Sequence, residues 1–141
     1  SIVTGFSHTH LSGTGIPDLG DVLIMPYTGV VRWNKGTRKN IDTGYASHYS
    51  HQEEKVSPGY YSVRLAGSGI DVELTATERV GFHQYHIPAG KNLHIIIDLK
   101  EGIGDHTTDA FLHQTDDHTI EGYRYSRGWA NDQRLYFAIR S

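Results

Sequence analysis

Several stretches of the chain alternate between apolar and polar residues, as strands with one buried face do. The strictest case covers residues 70–76, where Ile70, Val72 and Leu74 share one side and polar residues occupy the other. A side-chain period of two predicts a half-buried β-strand. Related patterns predict further strands over residues 60–65, 80–85, 119–126 and 135–139, and a short aliphatic run predicts another over 22–25.

One apolar run does not alternate. Residues 93–99 read Leu-His-Ile-Ile-Ile-Asp-Leu and are mostly aliphatic. Such a composition predicts a strand that is buried on both faces. We therefore expect His94 to be a hydrogen-bonded polar group of the core.

Segments rich in glycine and proline separate the predicted strands. Residues 57–59 (Ser-Pro-Gly) precede one strand, and residues 66–69 (Ala-Gly-Ser-Gly) and 88–92 (Pro-Ala-Gly-Lys-Asn) are expected to close hairpins. No apolar stripe of helical period and helix length occurs, so the pattern predicts an all-β fold, an antiparallel sandwich or barrel. The length of 141 residues suits one domain.

Composition narrows the functional classes. The chain has 13 Lys and Arg against 16 Asp and Glu and a net charge of −3, so no basic surplus predicts a nucleic-acid partner. Cysteine is absent, which excludes disulfides and thiolate zinc sites. No apolar run approaches the roughly 20 residues of a membrane span. The 10 His, 9 Tyr and 2 Trp are compatible with sugar or metal binding.

The first candidate site is segment 5–15, Gly-Phe-Ser-His-Thr-His-Leu-Ser-Gly-Thr-Gly. Its two histidines would share one face of a strand and could supply two imidazoles to a metal. Glycine lets backbone groups approach a ligand closely, and the hydroxyls add hydrogen-bonding groups. We expect a ligand-facing loop whose substrate-binding residues are His8, His10, Ser12, Gly13 and Thr14.

The second candidate is Trp129, in the polar segment 126–132 between two predicted strands. An indole ring in a loop suits the apolar face of a sugar ring. Trp33 lies in the irregular polar segment 32–54 and is a weaker candidate of the same kind. Burial in a core or a domain interface is the alternative for both side chains.

The chain offers little for catalysis by itself. It has no Gly-x-Ser-x-Gly nucleophile motif. Glycoside hydrolysis needs two carboxyl groups across the scissile bond, and no spacing singles out such a pair. The candidates by residue type alone are Asp18, Asp21, Glu53, Glu54, Asp116 and Asp117.

Five segments in chain order resemble glycoside hydrolase family 92, the calcium-dependent exo-acting α-mannosidases. They are residues 5–15 above, 20–26 (Gly-Asp-Val-Leu-Ile-Met-Pro), 57–63 (Ser-Pro-Gly-Tyr-Tyr-Ser-Val), 73–83 (Glu-Leu-Thr-Ala-Thr-Glu-Arg-Val-Gly-Phe-His) and 122–130 (Gly-Tyr-Arg-Tyr-Ser-Arg-Gly-Trp-Ala). The resemblance implies an N-terminal β-sandwich packed on an (α/α)6 catalytic barrel, with this chain, 1–141, forming the sandwich or part of it.

The resemblance also implies a function. The parent enzyme would hydrolyse terminal α-linked mannose of glycans, chiefly α-1,2-linked, with inversion, in a secreted, periplasmic or cell-surface setting. The catalytic acids and most calcium ligands would lie in the barrel, so no catalytic or metal residue is assigned here. This chain alone is expected to be inactive and to need no cofactor. The surface of this chain that packs on the barrel in the parent enzyme would be apolar. Its exposure in the isolated chain would favour self-association.

Two alternatives stay open at this point. One is a stand-alone carbohydrate-binding β-sandwich with Trp129 or Trp33 as its platform. The other is a small metal-dependent β-barrel enzyme, in which His8 and His10 are joined by a third ligand such as His83 or His94.

Overall fold

The computed structural model of the protein describes residues 1–10, 15–37 and 39–141. These residues form strands, turns and two short 3-10 segments, Ile41–Thr43 and His51–Glu53. The strands in chain order are β1 (Ile2–Val3), β2 (Leu23–Thr28), β3 (Ser47–His48), β4 (Lys55–Ser57), β5 (Tyr60–Arg64), β6 (Asp71–Ala76), β7 (Gly81–His86), β8 (Leu93–Asp98), β9 (His106–Asp116), β10 (Thr119–Arg127) and β11 (Gln133–Arg140).

The chain divides into two compact units. The first consists of Ser1–Phe6 and Ile24–Ile96, and the second of Ser7–Leu23 and Ile97–Ser141. Each unit is therefore built from two separate stretches of sequence.

An antiparallel four-stranded sheet in the order β4-β5-β6-β7 dominates the first unit. The predicted hairpin at residues 66–69 joins β5 to β6, and the Leu65 amide donates to the Ile70 carbonyl at 2.9 Å. Gly69 has a φ of 73°, a left-handed conformation that glycine adopts without steric cost. The turn residues therefore set this register, as the sequence predicted.

The apolar face of this sheet forms part of the core of the first unit. Val63 and Val72 are paired across β5 and β6 and are both buried. They pack in one cluster with Phe6, Met25, Tyr45, Leu65, Ile70 and Ile96. The smaller two-stranded sheets are β1-β3 and β2-β8.

Two expectations for the end of this unit are wrong. His94 is exposed and Ile95 is 43% exposed, so β8 is not buried on both faces and His94 is not a core group. Residues 88–92 form a turn but no hairpin, because β8 pairs with β2 and not with β7.

The second unit contains the antiparallel meander β9-β10-β11. Tyr123 on β10 lies between Phe111 on β9 and Tyr136 on β11 in register. The eleven-residue strand β9 was not predicted, since its sequence His-Thr-Thr-Asp-Ala-Phe-Leu-His-Gln-Thr-Asp lacks apolar alternation. The next strand along the chain, β10, holds it in the sheet through the hydrogen bonds of an antiparallel pair.

The all-β, antiparallel fold class predicted from the pattern is confirmed. In the part of the chain that the structure describes, no helix is long and apolar enough to cross a membrane.

Candidate functional site

A buried arginine organises the second unit. Arg124 on β10 has no solvent exposure, and its Nη1 donates to Asp21 Oδ1 at 2.6 Å. Its Nη2 donates to Asp105 Oδ1 at 2.9 Å and its Nε to the Leu99 carbonyl at 2.9 Å. Breaking such a buried ion pair costs about 3–5 kcal/mol. Arg124 is thus occupied inside the protein, where it holds two loops together.

The pKa values of the two carboxylates paired with Arg124 are shifted in opposite directions. Burial raises the pKa of Asp21 above its ordinary value, although Arg124 acts in the opposite direction. Burial would also raise the pKa of Asp105, but the hydrogen bonds and charge of Arg124 prevail and the pKa lies below the usual range. Asp21 Oδ2 is buried and has no hydrogen-bond partner among the described residues.

Asp21 also anchors the histidine segment. Its backbone amide donates to Thr9 Oγ1 at 3.1 Å, and Thr9 Oγ1 lies 3.1 Å from Ser7 Oγ. These bonds fix a turn that carries His8 and His10, both exposed. The buried cluster therefore holds the base of the first candidate loop.

His8 and His10 are close enough to influence each other. Partial desolvation lowers the pKa of His8, and the charge of His10 lowers it further. His8 is accordingly neutral at pH 7, and a neutral imidazole both donates and accepts hydrogen bonds. The other predicted residues of this loop, Ser12, Gly13 and Thr14, lie outside the residues that the structure describes.

A third buried carboxylate, that of Asp18, holds the tryptophan loop. Asp18 Oδ2 accepts from the Trp129 amide at 2.6 Å and from Gln133 Nε2 at 2.9 Å. A Cβ at Gly128 would lie 2.5 Å from Asp18 Oδ2, so only glycine permits this approach. The Trp129 ring is 80% exposed although its backbone is fixed. An exposed ring on an anchored backbone is a platform that an apolar ligand face can meet.

The metal alternative requires at least three donor side chains close together. Across residues 1–10, 15–37 and 39–141, no group of three or more His, Asp or Glu side chains could hold a metal ion. His83, a suggested third ligand, lies 2.6 Å from the Tyr85 hydroxyl instead. The described residues therefore show no preformed cluster of metal donors.

The sequence missed the residues that position the site. The motifs alone give no role to Arg124, although it occupies an inward position of β10 in line with Ile120 and Gly122. An arginine at an apolar position of an alternating strand is a signal for a buried ion pair. Asp18 and Asp21 were noted for their carboxylates, but their partners lie more than 100 residues away.

Comparison with known proteins identifies the family. The model of the glycosyl hydrolase family 92 N-terminal domain matches residues 1–141. The chain belongs to glycosyl hydrolase family 92. The resemblance seen in the sequence is thus confirmed.

Solved structures share the fold of this family 92 domain. The α-mannosidase from Bacteroides thetaiotaomicron is 42% identical with a TM-score of 0.93, over 97% of this chain and 18% of that chain. The same enzyme is known in complex with mannoimidazole. The family 92 glycosyl hydrolase ccman5 is 26% identical with a TM-score of 0.75, over 98% of this chain and 20% of that chain. The β-sandwich class is confirmed.

A curated relative agrees with this family. An uncharacterized secreted glycosidase of Arthroderma benhamiae is 32% identical over 114 residues, which cover 72% of this chain and 14% of the relative. The family 92 chain therefore spans a fifth or less of the length of these three relatives.

Proposed function

We propose that this chain is the non-catalytic N-terminal part of an exo-acting, inverting α-mannosidase that removes terminal α-1,2-linked mannose from glycans. Support comes from the family and from its similarity to an α-mannosidase. We also propose that the parent enzyme is secreted, as the name of the Arthroderma benhamiae relative states for that protein.

Within this enzyme, the chain supplies part of the rim of the sugar pocket. The observation that carries this role is Trp129, whose exposed ring stands on a backbone fixed by the buried Asp18. Burying a carboxylate is costly unless it is hydrogen-bonded. The hydrogen bonds to Asp18 offset this cost, and they fix the backbone of a loop whose indole ring is mostly exposed. A fixed backbone with an exposed ring suits a ligand-facing role. His8 and His10 join Trp129 in this proposal as hydrogen-bonding groups.

The chain alone is proposed to be inactive. Inverting hydrolysis needs an acid and a base about 6.5–9.5 Å apart across the bond. The side chains of Asp18, Asp21 and Asp105 accept hydrogen bonds from internal donors and are buried from solvent. The acids, and the oxygen ligands that calcium prefers, are assigned to the remainder of the enzyme.

The experiment uses the full-length enzyme with Trp129→Ala and His8→Ala, and α-1,2-mannobiose as the substrate. Loss of a stacking ring is expected to lower kcat/KM by about two- to thirteenfold, since aromatic contacts contribute about 0.5–1.5 kcal/mol beyond their buried area. Phe82→Ala, which removes an exposed aromatic ring from β7, is the control and should leave the rate unchanged. Unchanged kinetics in both site variants would show that these residues are structural.

A second measurement separates the alternatives. The purified chain is incubated with α-1,2-mannobiose and calcium, and mannose release and heat of binding are followed. Sustained release of mannose would refute the non-catalytic role. Tight binding without release would favour a stand-alone carbohydrate-binding module.

A further inference from the structure

The solvent face of the four-stranded sheet carries a polar depression. Lys55, Ser62, Glu73 and Gln84 form one row across β4, β5, β6 and β7, paired in register. Ser62 has the shortest side chain of this row. Its longer neighbours surround a cavity of about 320 Å³, lined by Glu53, Lys55, Tyr60, Ser62, Val63, Arg64, Asp71, Val72, Glu73 and His86. We call this cavity the β4–β7 cleft.

Glu73 is held in a fixed position within the cleft. The Tyr60 hydroxyl donates to Glu73 Oε1 at 2.5 Å, and His86 Nε2 lies 2.6 Å from Oε2. The hydrogen bond from Tyr60, followed by that from His86, lowers the pKa of Glu73, so this carboxylate is ionised at neutral pH. A positioned, ionised carboxylate accepts hydrogen bonds from a ligand at its remaining lone pairs.

Arg64 and Asp71, which are paired in register on β5 and β6, also line the cleft. Arg64 Nη1 lies 3.0 Å from each carboxylate oxygen of Asp71. Since a guanidinium has five N–H donors, most of those on Arg64 stay available beside this pair. Ser62, at the floor, makes no side-chain hydrogen bond to another described residue.

The charges of the cleft favour one class of ligand. Three carboxylates (Glu53, Asp71 and Glu73) face two cations (Lys55 and Arg64). This balance does not favour an anion such as phosphate. A sugar hydroxyl, in contrast, donates to a carboxylate and accepts from an arginine or lysine at the same time. Ligand pockets of about 300–1,000 Å³ are typical for small molecules, and this one is at the lower limit.

We propose that the β4–β7 cleft is a second binding site, for a short, neutral, hydroxyl-rich saccharide. It uses none of the residues of the Trp129 loop or the histidine turn. The proposal does not depend on whether the parent enzyme is a mannosidase, because it follows from the hydrogen-bond donors and acceptors of the cleft alone.

The proposal is tested by titrating the ¹⁵N-labelled chain with mannotriose, maltotriose and sodium phosphate, each alone, and recording amide chemical shifts. Saturable shifts at Ser62, Glu73 and His86 with either trisaccharide support the proposal. No shift in the cleft with either trisaccharide, or saturable shifts there with phosphate only, overturns it.

Two variants show whether the cleft itself binds. Ser62→Leu fills the floor and should weaken saccharide binding by about tenfold or more. Thr108→Leu places the same side chain on an exposed position of β9 and should bind as the wild type does. Glu73→Gln keeps the shape of the cleft but removes the charged acceptor, and it decides the question should Ser62→Leu not fold. Wild-type affinity in a folded Ser62→Leu or Glu73→Gln variant contradicts the proposal.

Discussion

The buried carboxylate of Asp18 fixes the backbone position of the exposed Trp129. Asp18 is 4% exposed, and its Oδ2 accepts hydrogen bonds from the Trp129 amide and from Gln133 Nε2. Removing it leaves two donors without an acceptor, and an unsatisfied buried donor costs about 1–3 kcal/mol. Asp132, in the same loop, is 62% exposed and pairs with Arg134 at 3.1 Å. We therefore expect Asp18 to contribute more than Asp132 to the free energy of unfolding.

Asp18→Ala is expected to lower the free energy of unfolding by about 1–3 kcal/mol, whereas Asp132→Ala should change it by at most about 0.5 kcal/mol. Urea unfolding measures both. In a Trp33→Phe background, Asp18→Ala should also reduce the fluorescence anisotropy of Trp129, because its backbone loses an anchor. Equal stability of the two variants would show that Asp18 does not hold the loop.

Tyrosine pairing gives a residue-scale pH dependence. The hydrogen bond with the Tyr136 hydroxyl, at 2.7 Å, is the main reason why the pKa of Tyr125 is raised from 10.0 to about 12. A raised pKa in the folded state means that the protonated phenol is favoured there. The associated stability is complete below pH 10 and is lost as the pH rises towards 12.

Tyr136→Phe removes the hydroxyl partner and should bring the pKa of Tyr125 down towards 10, the ordinary value of tyrosine. A ¹³C-tyrosine NMR titration measures it, and Tyr125→Phe assigns the signal. Tyr60→Phe, on β5, is the control and should leave the titration of Tyr125 unchanged. An unaltered midpoint in Tyr136→Phe would mean that another group sets this pKa.

At the scale of elements, close approach between strands depends on a glycine. Gly122 on β10 lies opposite Leu112 on β9 and Phe137 on β11. A Cβ there would lie 2.2 Å from the Phe111 carbonyl oxygen and 2.9 Å from the Phe137 ring. Because the first of these atoms is backbone, it cannot rotate away, and the sheet itself would have to move.

Gly122→Ala should therefore destabilise the protein by about 1–3 kcal/mol, the usual cost of inserting a methyl group into a filled site. The matched control is Gly67→Ala, where the nearest atom, Ser47 Oγ, is 3.4 Å from the added Cβ. That variant is expected to be neutral or slightly stabilising. Thermal unfolding compares the two, and similar melting temperatures would refute the steric argument.

At the scale of the whole molecule, the β9-β10-β11 sheet has apolar side chains on both faces. One face carries Phe111, Tyr123 and Tyr136, and the other carries aliphatic and aromatic residues that include Leu112 and Phe137. An antiparallel sheet with one face in water normally shows polar residues there. If the chain is part of a larger enzyme, as we propose, the remainder of that enzyme would cover this sheet.

The isolated chain should therefore self-associate through this sheet at high concentration. Sedimentation velocity is expected to show a concentration-dependent increase in mass for the wild type and none for Phe111→Asp. Phe82→Asp introduces the same charge at an exposed position of β7 and should behave as the wild type does. A wild-type chain that stays monomeric throughout would contradict the expectation.

Much of the fold could be predicted because its signals are local. Alternation over residues 70–76 and the glycine-rich turn before it fix β6 and its hairpin with β5, and neither depends on distant residues. The motifs around His8 and Trp129 likewise pointed to the family, since a motif is read directly from the chain. The roles of His8, His10 and Trp129 in binding remain predictions.

Only the tertiary structure decided what depends on distant partners. Arg124 and Asp21 are 103 residues apart, and a polar strand such as β9 exists because β10 provides its hydrogen bonds. The exposure of His94 and the pairing of β8 with β2 could not be read from residues 93–99 alone. A sequence pattern indicates the conformation that a segment prefers by itself. Burial and charge pairing depend also on which other segments pack against it in the folded protein.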